Sequence, residues 1–184
     1  LGLKPQLELI LRHSAGVLFQ EAHKEASFFN KQLGIFSNTL SSEYEVNRVL
    51  YSSIHYTPQY LARSIVENSL KQLDLEKGSL KIFDPACGSS EFLIEALKQL
   101  KNLGYKGKII VNGWDTSESA INTSNFLLQY EKRTQWGNEN LDFEIKLVED
   151  SLTESWGNDY DLILMNPPFV SWEIMKKGER ESVS

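Results

Sequence analysis

Leu80-Lys81-Ile82-Phe83-Asp84-Pro85-Ala86-Cys87-Gly88-Ser89-Ser90-Glu91-Phe92 is the stretch from which the fold can be read. Leu80 to Phe83 is a short apolar run of strand length, and it stops at an Asp-Pro pair. Beyond the Gly/Ser turn, Leu93, Ile94, Leu97 and Leu100 recur at the spacing of one buried helical stripe, predicting a helix over about Glu91 to Leu103. A strand, a glycine turn and a helix in that order open a βαβ unit.

The same rhythm continues downstream. Gly104 and Gly107 bracket a turn, and Lys108 to Trp114 reads as a second strand ending at Asp115. Ser117 is placed to cap a helix running to about Lys132. A polar loop from Thr134 to Asn140 leads to a third strand, Phe143 to Val148, which ends at Glu149-Asp150. The fourth strand, Asp161 to Met165, runs into Asn166-Pro167-Pro168-Phe169. Strands alternating with helices predict an α/β fold with a mostly parallel sheet. Upstream, Leu61, Ile65, Val66, Leu70 and Leu73 mark a helix after Tyr56-Thr57-Pro58. Farther back, Leu7, Leu11, Leu18, Ala22, Ala26, Phe29 and Leu33 fall at helical spacing, and Ser42 could cap a short helix beginning near Glu43. Two parts are therefore expected: a helical segment over residues 1–48 and an α/β core over residues 49–184.

Composition narrows the class of protein. The 184 residues are 41% hydrophobic and 24% charged, as in an ordinary globular domain. Apolar runs such as Leu162 to Met165 are only a few residues long, so none spans a membrane as a helix. The single cysteine, Cys87, excludes an internal disulfide and a cysteine zinc cluster, and a reducing, cytoplasmic setting is the natural reading. His13, His23 and His55 show no ligand spacing, so no metal is expected. The net charge of −6 excludes a polyanion binder driven by a basic surface, though a local basic groove remains compatible with it.

In an open α/β sheet, ligands bind beyond the carboxyl ends of the strands. All four predicted strands end in a polar group there: Asp84, Asp115, Asp150 and Asn166. The turn after Asp84 lets backbone approach a ligand and aims helix N–H groups at it, yet it lacks the G-x-G-x-x-G pattern and the P-loop lysine. Asp115, at the end of the next strand, stands where an acid accepts hydrogen bonds from a ribose diol. The expected ligand carries a ribose without needing a phosphate, such as an adenosine joined to an amino acid. At the fourth strand, two prolines fix φ, and Pro167 confines Asn166 to an extended conformation. The Asn166 side-chain oxygen and a proline carbonyl can then grip an NH₂ group, with Phe169 offering a face for stacking.

These residues resemble a known family. Asp84-Pro85-Ala86-Cys87-Gly88-Ser89-Ser90-Glu91-Phe92 is similar to motif I of the S-adenosylmethionine-dependent amino-group DNA methyltransferases. Asn166-Pro167-Pro168-Phe169 resembles their catalytic motif IV, and His55-Tyr56-Thr57-Pro58 resembles motif X. The order X, I, IV is that of the gamma-type N6-adenine methyltransferases of type I and type IIG restriction-modification systems. The resemblance covers about Val49 to Glu173 and implies a Rossmann-like methyltransferase core. One departure is Ser90, where the family usually has Gly and where a side chain crowds the turn.

The resemblance implies a role for each matching position. Tyr56 and Thr57 would hold the methionine carboxylate of the cofactor, and Asp84, Pro85, Ala86, Cys87, Gly88 and Phe92 would form the turn around its methionine and ammonium. Asp115 would take the ribose hydroxyls, with Trp114 or Thr116 beside the adenine, and Asp150 would receive the adenine amino group. Cys87 is no nucleophile on this reading, because it lies in the cofactor turn and not after the fourth strand. The catalytic residues would be Asn166, Pro167, Pro168 and Phe169, acting on an adenine flipped out of a DNA duplex.

A glutamine amide or an RNA base amine is a rival target, since each presents a planar NH₂ group; a non-catalytic cofactor-binding fragment is the rival from another class. The resemblance further implies that double-stranded DNA is read by a region outside this chain, with restriction or specificity subunits as partners. The chain begins at Leu1 and carries only about fifteen residues past the Asn-Pro-Pro-Phe motif, so it is expected to be a piece of a longer protein, cut at both ends.

Overall fold

The computed structural model describes residues 57–157 and 159–167. The helical segment expected over residues 1–48, together with Tyr56, Pro168 and Phe169, lies outside the described residues. Residues 57–166 fall within one compact unit.

Helix α1 (Gln59–Leu70) starts directly after Pro58, whose φ of −59° suits a helix entry. Strand β1 (Ser79–Asp84) leads through the Asp-Pro turn into α2 (Glu91–Asn102). Strand β2 (Lys108–Asp115) leads into α3 (Glu118–Glu131), which Ser117 caps by accepting from the Ala120 N–H. A single turn of π-helix (Lys132–Trp136) extends α3, where the sequence predicts the approach to a polar loop. Strands β3 (Leu141–Leu147) and β4 (Leu162–Ile163) complete the described elements.

The four strands form one parallel sheet in the order β3-β2-β1-β4. Its register pairs Ile82 with Val111 and Leu162, and Val111 with Phe143. Alternate residues on one face (Leu80 and Ile82, Ile109 and Val111, Leu141) are buried in a core shared with Val66 and Leu70 of α1, Leu93 and Leu97 of α2, and Leu127 and Leu128 of α3. On the opposite face, Phe83 stacks on Tyr160 at 4.6 Å and meets Trp114 edge-on at 4.8 Å and Trp156 at 5.5 Å. This places an aromatic cluster against the carboxyl end of β1, where rings pack beyond what area burial alone supplies.

Three differences from the predicted elements have physical causes. Strand β4 is two residues long rather than Asp161 to Met165: the Asp161 N–H still donates to the Lys81 carbonyl, but the Lys81 N–H is taken by the Asp161 carboxylate rather than by backbone, and past Ile163 the Leu164 N–H bond to the Phe83 carbonyl is the last tie to β1 among the described residues. The β3 strand starts two residues before Phe143, its first residue Leu141 pairing with Ile109. In α1 the buried stripe is Ala62, Val66 and Leu70, at i, i+4 and i+8, while Leu61 and Ile65 are exposed on its flank. This stripe packs against α2, and hydropathy alone overlooks the small Ala62 in it.

Candidate active site

The carboxyl ends of β1 and β2 are tied together by their own loops. Cys87 donates its N–H to the Trp114 carbonyl at 2.8 Å, and Gly88 donates its N–H to Asp115 Oδ2 at 2.8 Å. Asp115 Oδ1 accepts from the Ser117 N–H at 2.8 Å, and its backbone carbonyl accepts from the Val148 N–H at 3.0 Å. Asp115 therefore joins the turn after β1, the start of α3 and the exit of β3. A carboxylate has about four acceptor sites, so two hydrogen bonds leave capacity for a diol.

Two glycines make this junction sterically feasible. Gly88 has φ +52°, and a Cβ built there would meet nothing within 4 Å, so its face is open. Gly113 serves the opposite purpose. A Cβ there would lie 2.8 Å from Ile145 Cδ1 and 3.1 Å from Cys87 Sγ, so only glycine lets the turn press against β2. Ser124, buried on α3, donates its hydroxyl to the Gly88 carbonyl at 2.8 Å. The Gly88 peptide is thus held by Asp115 through its N–H and by Ser124 through its carbonyl. Ser124 is not legible in the sequence, because one serine on a helix carries no signal of what lies opposite it.

Asp84 is buried, and its Oδ1 accepts from the Ala86 N–H at 3.0 Å. Burial pushes its carboxyl up to about 8, and the neighbouring Asp115 carboxylate adds to the rise. Cys87 is also buried, and burial, with Asp84 and Asp115, pushes its thiol well above the ordinary range. A thiol held protonated in this way is no nucleophile, in keeping with its place in the turn.

Ser90, the position where the family usually has Gly, adopts φ +63° and ψ +31°. It is fully buried, and its hydroxyl finds no partner of good geometry beyond a weak interaction with the Cys87 sulfur. Left-handed backbone costs a non-glycine residue about 1–2 kcal/mol, and an unsatisfied buried hydroxyl costs about as much again. Glycine's greater chain entropy and the lost side-chain contacts offset part of that. Ser90→Gly is therefore expected to stabilise the fold by about 1 kcal/mol, read as a higher urea midpoint at an unchanged slope. A midpoint at or below the parent's would refute the strain.

Asn166 lies three residues beyond β4 and is half-buried, and Pro167 is exposed. The exit of β4 is pinned to β1 by the Leu164 N–H, which donates to the Phe83 carbonyl at 2.9 Å. Asn166 Nδ2 donates to the Thr57 hydroxyl at 3.1 Å, leaving Oδ1 as the accepting end of the amide. Two motifs far apart in sequence thus meet at one point. Among the other predicted positions, Phe92 belongs to the hydrophobic core, Pro85 is buried, and Thr116 is exposed. Asp150 is exposed and accepts from the Leu152 N–H at 2.9 Å, so it forms an Asx turn that leaves one face in solvent.

Two surface hollows lie elsewhere, one beside α1 and α2 that includes Arg63 and Lys98, the other beside α3 and β3 that includes Phe126 and Phe143. Neither contains any of the residues above. The hydrogen-bonded rim at the strand ends is the better site, because its buried carboxyl, open glycine and paired backbone groups converge there.

The rim's chemistry has a clear preference. Among the described residues the charge acting on Asp84 is a second carboxylate, Asp115, so an ammonium group would relieve it. The open face of Gly88 admits a ligand against backbone, and the remaining lone pairs of Asp115 suit a diol. These features fit a nucleoside that carries an amino-acid end.

The family model described as N-6 DNA Methylase matches residues 46–182. The chain is similar to the Type I restriction enzyme MjaVII methylase subunit of Methanocaldococcus jannaschii, 33% identical over 118 residues, 62% of this chain and 18% of that protein. It is also similar to the MjaIX methylase subunit of the same organism, 30% identical over 119 residues, 62% of this chain and 18% of that protein. These matches thus span less than a fifth of those relatives' length. A crystal structure of the type I restriction-modification system methyltransferase subunit from Streptococcus thermophilus aligns with 76% of this chain and 31% of its own, at 20% identity and a TM-score of 0.49.

Proposed function

Because the chain belongs to the N-6 DNA methylase family, we propose that it forms the cofactor-binding and catalytic face of an enzyme that methylates the N6 amino group of adenine in DNA, with S-adenosylmethionine as donor. One observation carries the reading. The Asn166-Pro167 pair stands beyond the carboxyl end of β4, the strand paired with β1, and β1 itself ends in the buried Asp84. Acceptors for an amine thus follow the strand beside the one that ends in a carboxyl suited to an ammonium.

The residues divide the work as follows. Asp84 would receive the ammonium of the cofactor's amino-acid end, and Asp115 its ribose hydroxyls. Gly88 would let the ligand lie against backbone, with Ser124 keeping that peptide in place. Thr57 would hold the carboxylate, and Asp150 would receive the adenine amino group. The bound cofactor supplies an electrophilic methyl on a sulfonium. Asn166 Oδ1 and the Pro167 carbonyl would accept hydrogen bonds from the target NH₂, drawing its lone pair out of conjugation with the ring. The same fixed acceptors stabilise the positive charge that develops on the nitrogen. Phe169 would stack on the flipped base. The proton released from the methylated nitrogen passes to solvent.

Double-stranded DNA is the proposed partner, with sequence read by a region outside this chain and with specificity or restriction subunits alongside, in a cytoplasmic setting. No helix among the described residues is long and apolar enough to cross a membrane.

The test is methyl transfer by the protein that carries this chain, using radiolabelled S-adenosylmethionine against duplex DNA, a glutamine-containing peptide and RNA. Label is expected in the DNA and, after digestion, in N6-methyladenine. Label confined to peptide or RNA defeats the adenine reading. Binding of the cofactor by the 184-residue chain with no transfer to any acceptor by the larger protein would support a non-catalytic module instead.

A further inference from the structure

The contact between Asn166 and Thr57 does more than join two parts of the chain. A side-chain amide has a donating end and an accepting end, and a half-turn exchanges them unless a neighbour discriminates. Activation of an amine needs the accepting end. In the structure, the donating end is occupied: Asn166 Nδ2 donates to the Thr57 hydroxyl at 3.1 Å, across 109 residues of sequence. Oδ1 is thereby left as the accepting end.

Both partners stand on stiff supports. Thr57 is β-branched, which limits its χ1 rotamers, and it precedes Pro58, which restricts its backbone to extended conformations. The Pro58 carbonyl accepts from the Leu61 and Ala62 N–H groups at 2.9 and 3.0 Å, and Ala62 is fully buried. On the other side, Leu164 is tied to Phe83, and Pro167 restricts Asn166. A hydrogen bond between two flexible groups would position nothing. Between two such supports it holds the amide in place against the Thr57 hydroxyl.

We propose that Thr57 is the positioning residue of the reaction: with its proton given to the cofactor's carboxylate its hydroxyl can only accept, and so it selects the orientation of the Asn166 amide in which Nδ2 donates to it and Oδ1 is left as the acceptor. The proposal rests on the adenine-N6 reading above and adds a second role to a residue otherwise expected only at the cofactor. The two roles are compatible in one hydroxyl. Thr57 Oγ accepts from Asn166 with a lone pair, so its own proton is free to donate to a carboxylate. Such a donation makes the oxygen a better acceptor, which tightens the grip on Nδ2 and increases the negative charge on Oδ1. Thr57 would then pass the presence of cofactor to the acceptor that activates the amine.

The test has two arms. In the ¹⁵N-labelled 184-residue chain, the side-chain NH₂ pair of Asn166 is assigned by its loss in Asn166→Ala. That pair is expected to shift in Thr57→Val and to return towards its parent position in Thr57→Ser. An unmoved pair in Thr57→Val overturns the proposal, whatever substrate the enzyme uses. In the protein that carries this chain, kcat at saturating cofactor and DNA is expected to fall about 10- to 100-fold in Thr57→Val. Thr57→Ser should restore it to within about threefold, since the hydroxyl is kept. A normal kcat with only a raised KM for cofactor would leave Thr57 a cofactor contact and nothing more. If the parent methylates no adenine at all, the substrate reading fails separately, and the amide resonance still decides the role of Thr57.

Discussion

Asn166→Ala is expected to lower the rate of methyl transfer to DNA by roughly 10²–10³-fold while leaving cofactor affinity within about threefold. The magnitude follows from when the interaction is made. An exocyclic amine conjugated to a purine is a poor nucleophile, because its lone pair is spread into the ring. As nitrogen becomes tetrahedral and positive, its N–H groups become stronger donors, so an acceptor fixed in place gains most in the transition state. Removing one preorganised hydrogen-bonding group from such a site typically costs this factor. The Pro167 carbonyl would remain, which keeps the loss short of total. Asn166→Asp should be milder, about 10- to 30-fold, since it retains an acceptor and can still pair with the Thr57 hydroxyl. Single-turnover rates are the measurement to use, because slow release of methylated DNA hides a chemical defect in steady-state kcat. A single-turnover loss below threefold in Asn166→Ala would remove Asn166 from the chemistry.

How much of this site the sequence reveals depends on how local each feature is. The turn around Asp84 and Gly88 is readable because its parts are consecutive: an apolar run, a proline, a glycine, then a helical stripe. Ser117 is readable as a cap for the same reason, and it does accept from the Ala120 N–H. The Asn166 to Thr57 contact is not, because sequence has no measure of distance across 109 residues. Nor is the clamp that Ser124 places on Gly88, which depends on how α3 crosses the turn. The shortness of β4 escapes for a subtler reason. Asp161 stands at the start of the expected strand and its N–H does donate to the Lys81 carbonyl, yet its side chain takes the Lys81 N–H and pairs with Lys77. That charge-assisted contact joins residues 80 positions apart, and only the fold creates it.

Asp84 should set the pH dependence both of stability and of cofactor binding, in opposite senses. Its carboxyl moves from an ordinary 3.8 to about 8 on folding, driven chiefly by burial. Between those values the folded state holds a proton that the unfolded chain has lost. Stability is therefore fullest below about pH 4, falls as pH rises towards 8, and is flat beyond it. A shift of this size costs the ligand-free fold on the order of 5 kcal/mol at alkaline pH. Asp84→Asn keeps the shape and carries no charge, so it should raise the urea midpoint at pH 8 and remove most of this slope. The same substitution should weaken S-adenosylmethionine by about 100-fold, because the ammonium loses its carboxylate.

On the proposed reading, binding by the parent chain needs a carboxylate at Asp84 and an ammonium on the ligand, whose α-amino group itself titrates near pH 7.7–8.0 by the usual value. Affinity should therefore peak near pH 8 and fall on either side, by up to about tenfold per unit. At pH 7 the complex should release most of one proton, seen as a binding enthalpy that changes with the ionisation enthalpy of the buffer. Asp84→Asn should abolish that release. Proton release and a pH optimum that survive the substitution would move the ammonium site away from Asp84. A stability slope that survives it would mean that the buried carboxyl is already ionised in the folded chain, held by its hydrogen bond to Ala86.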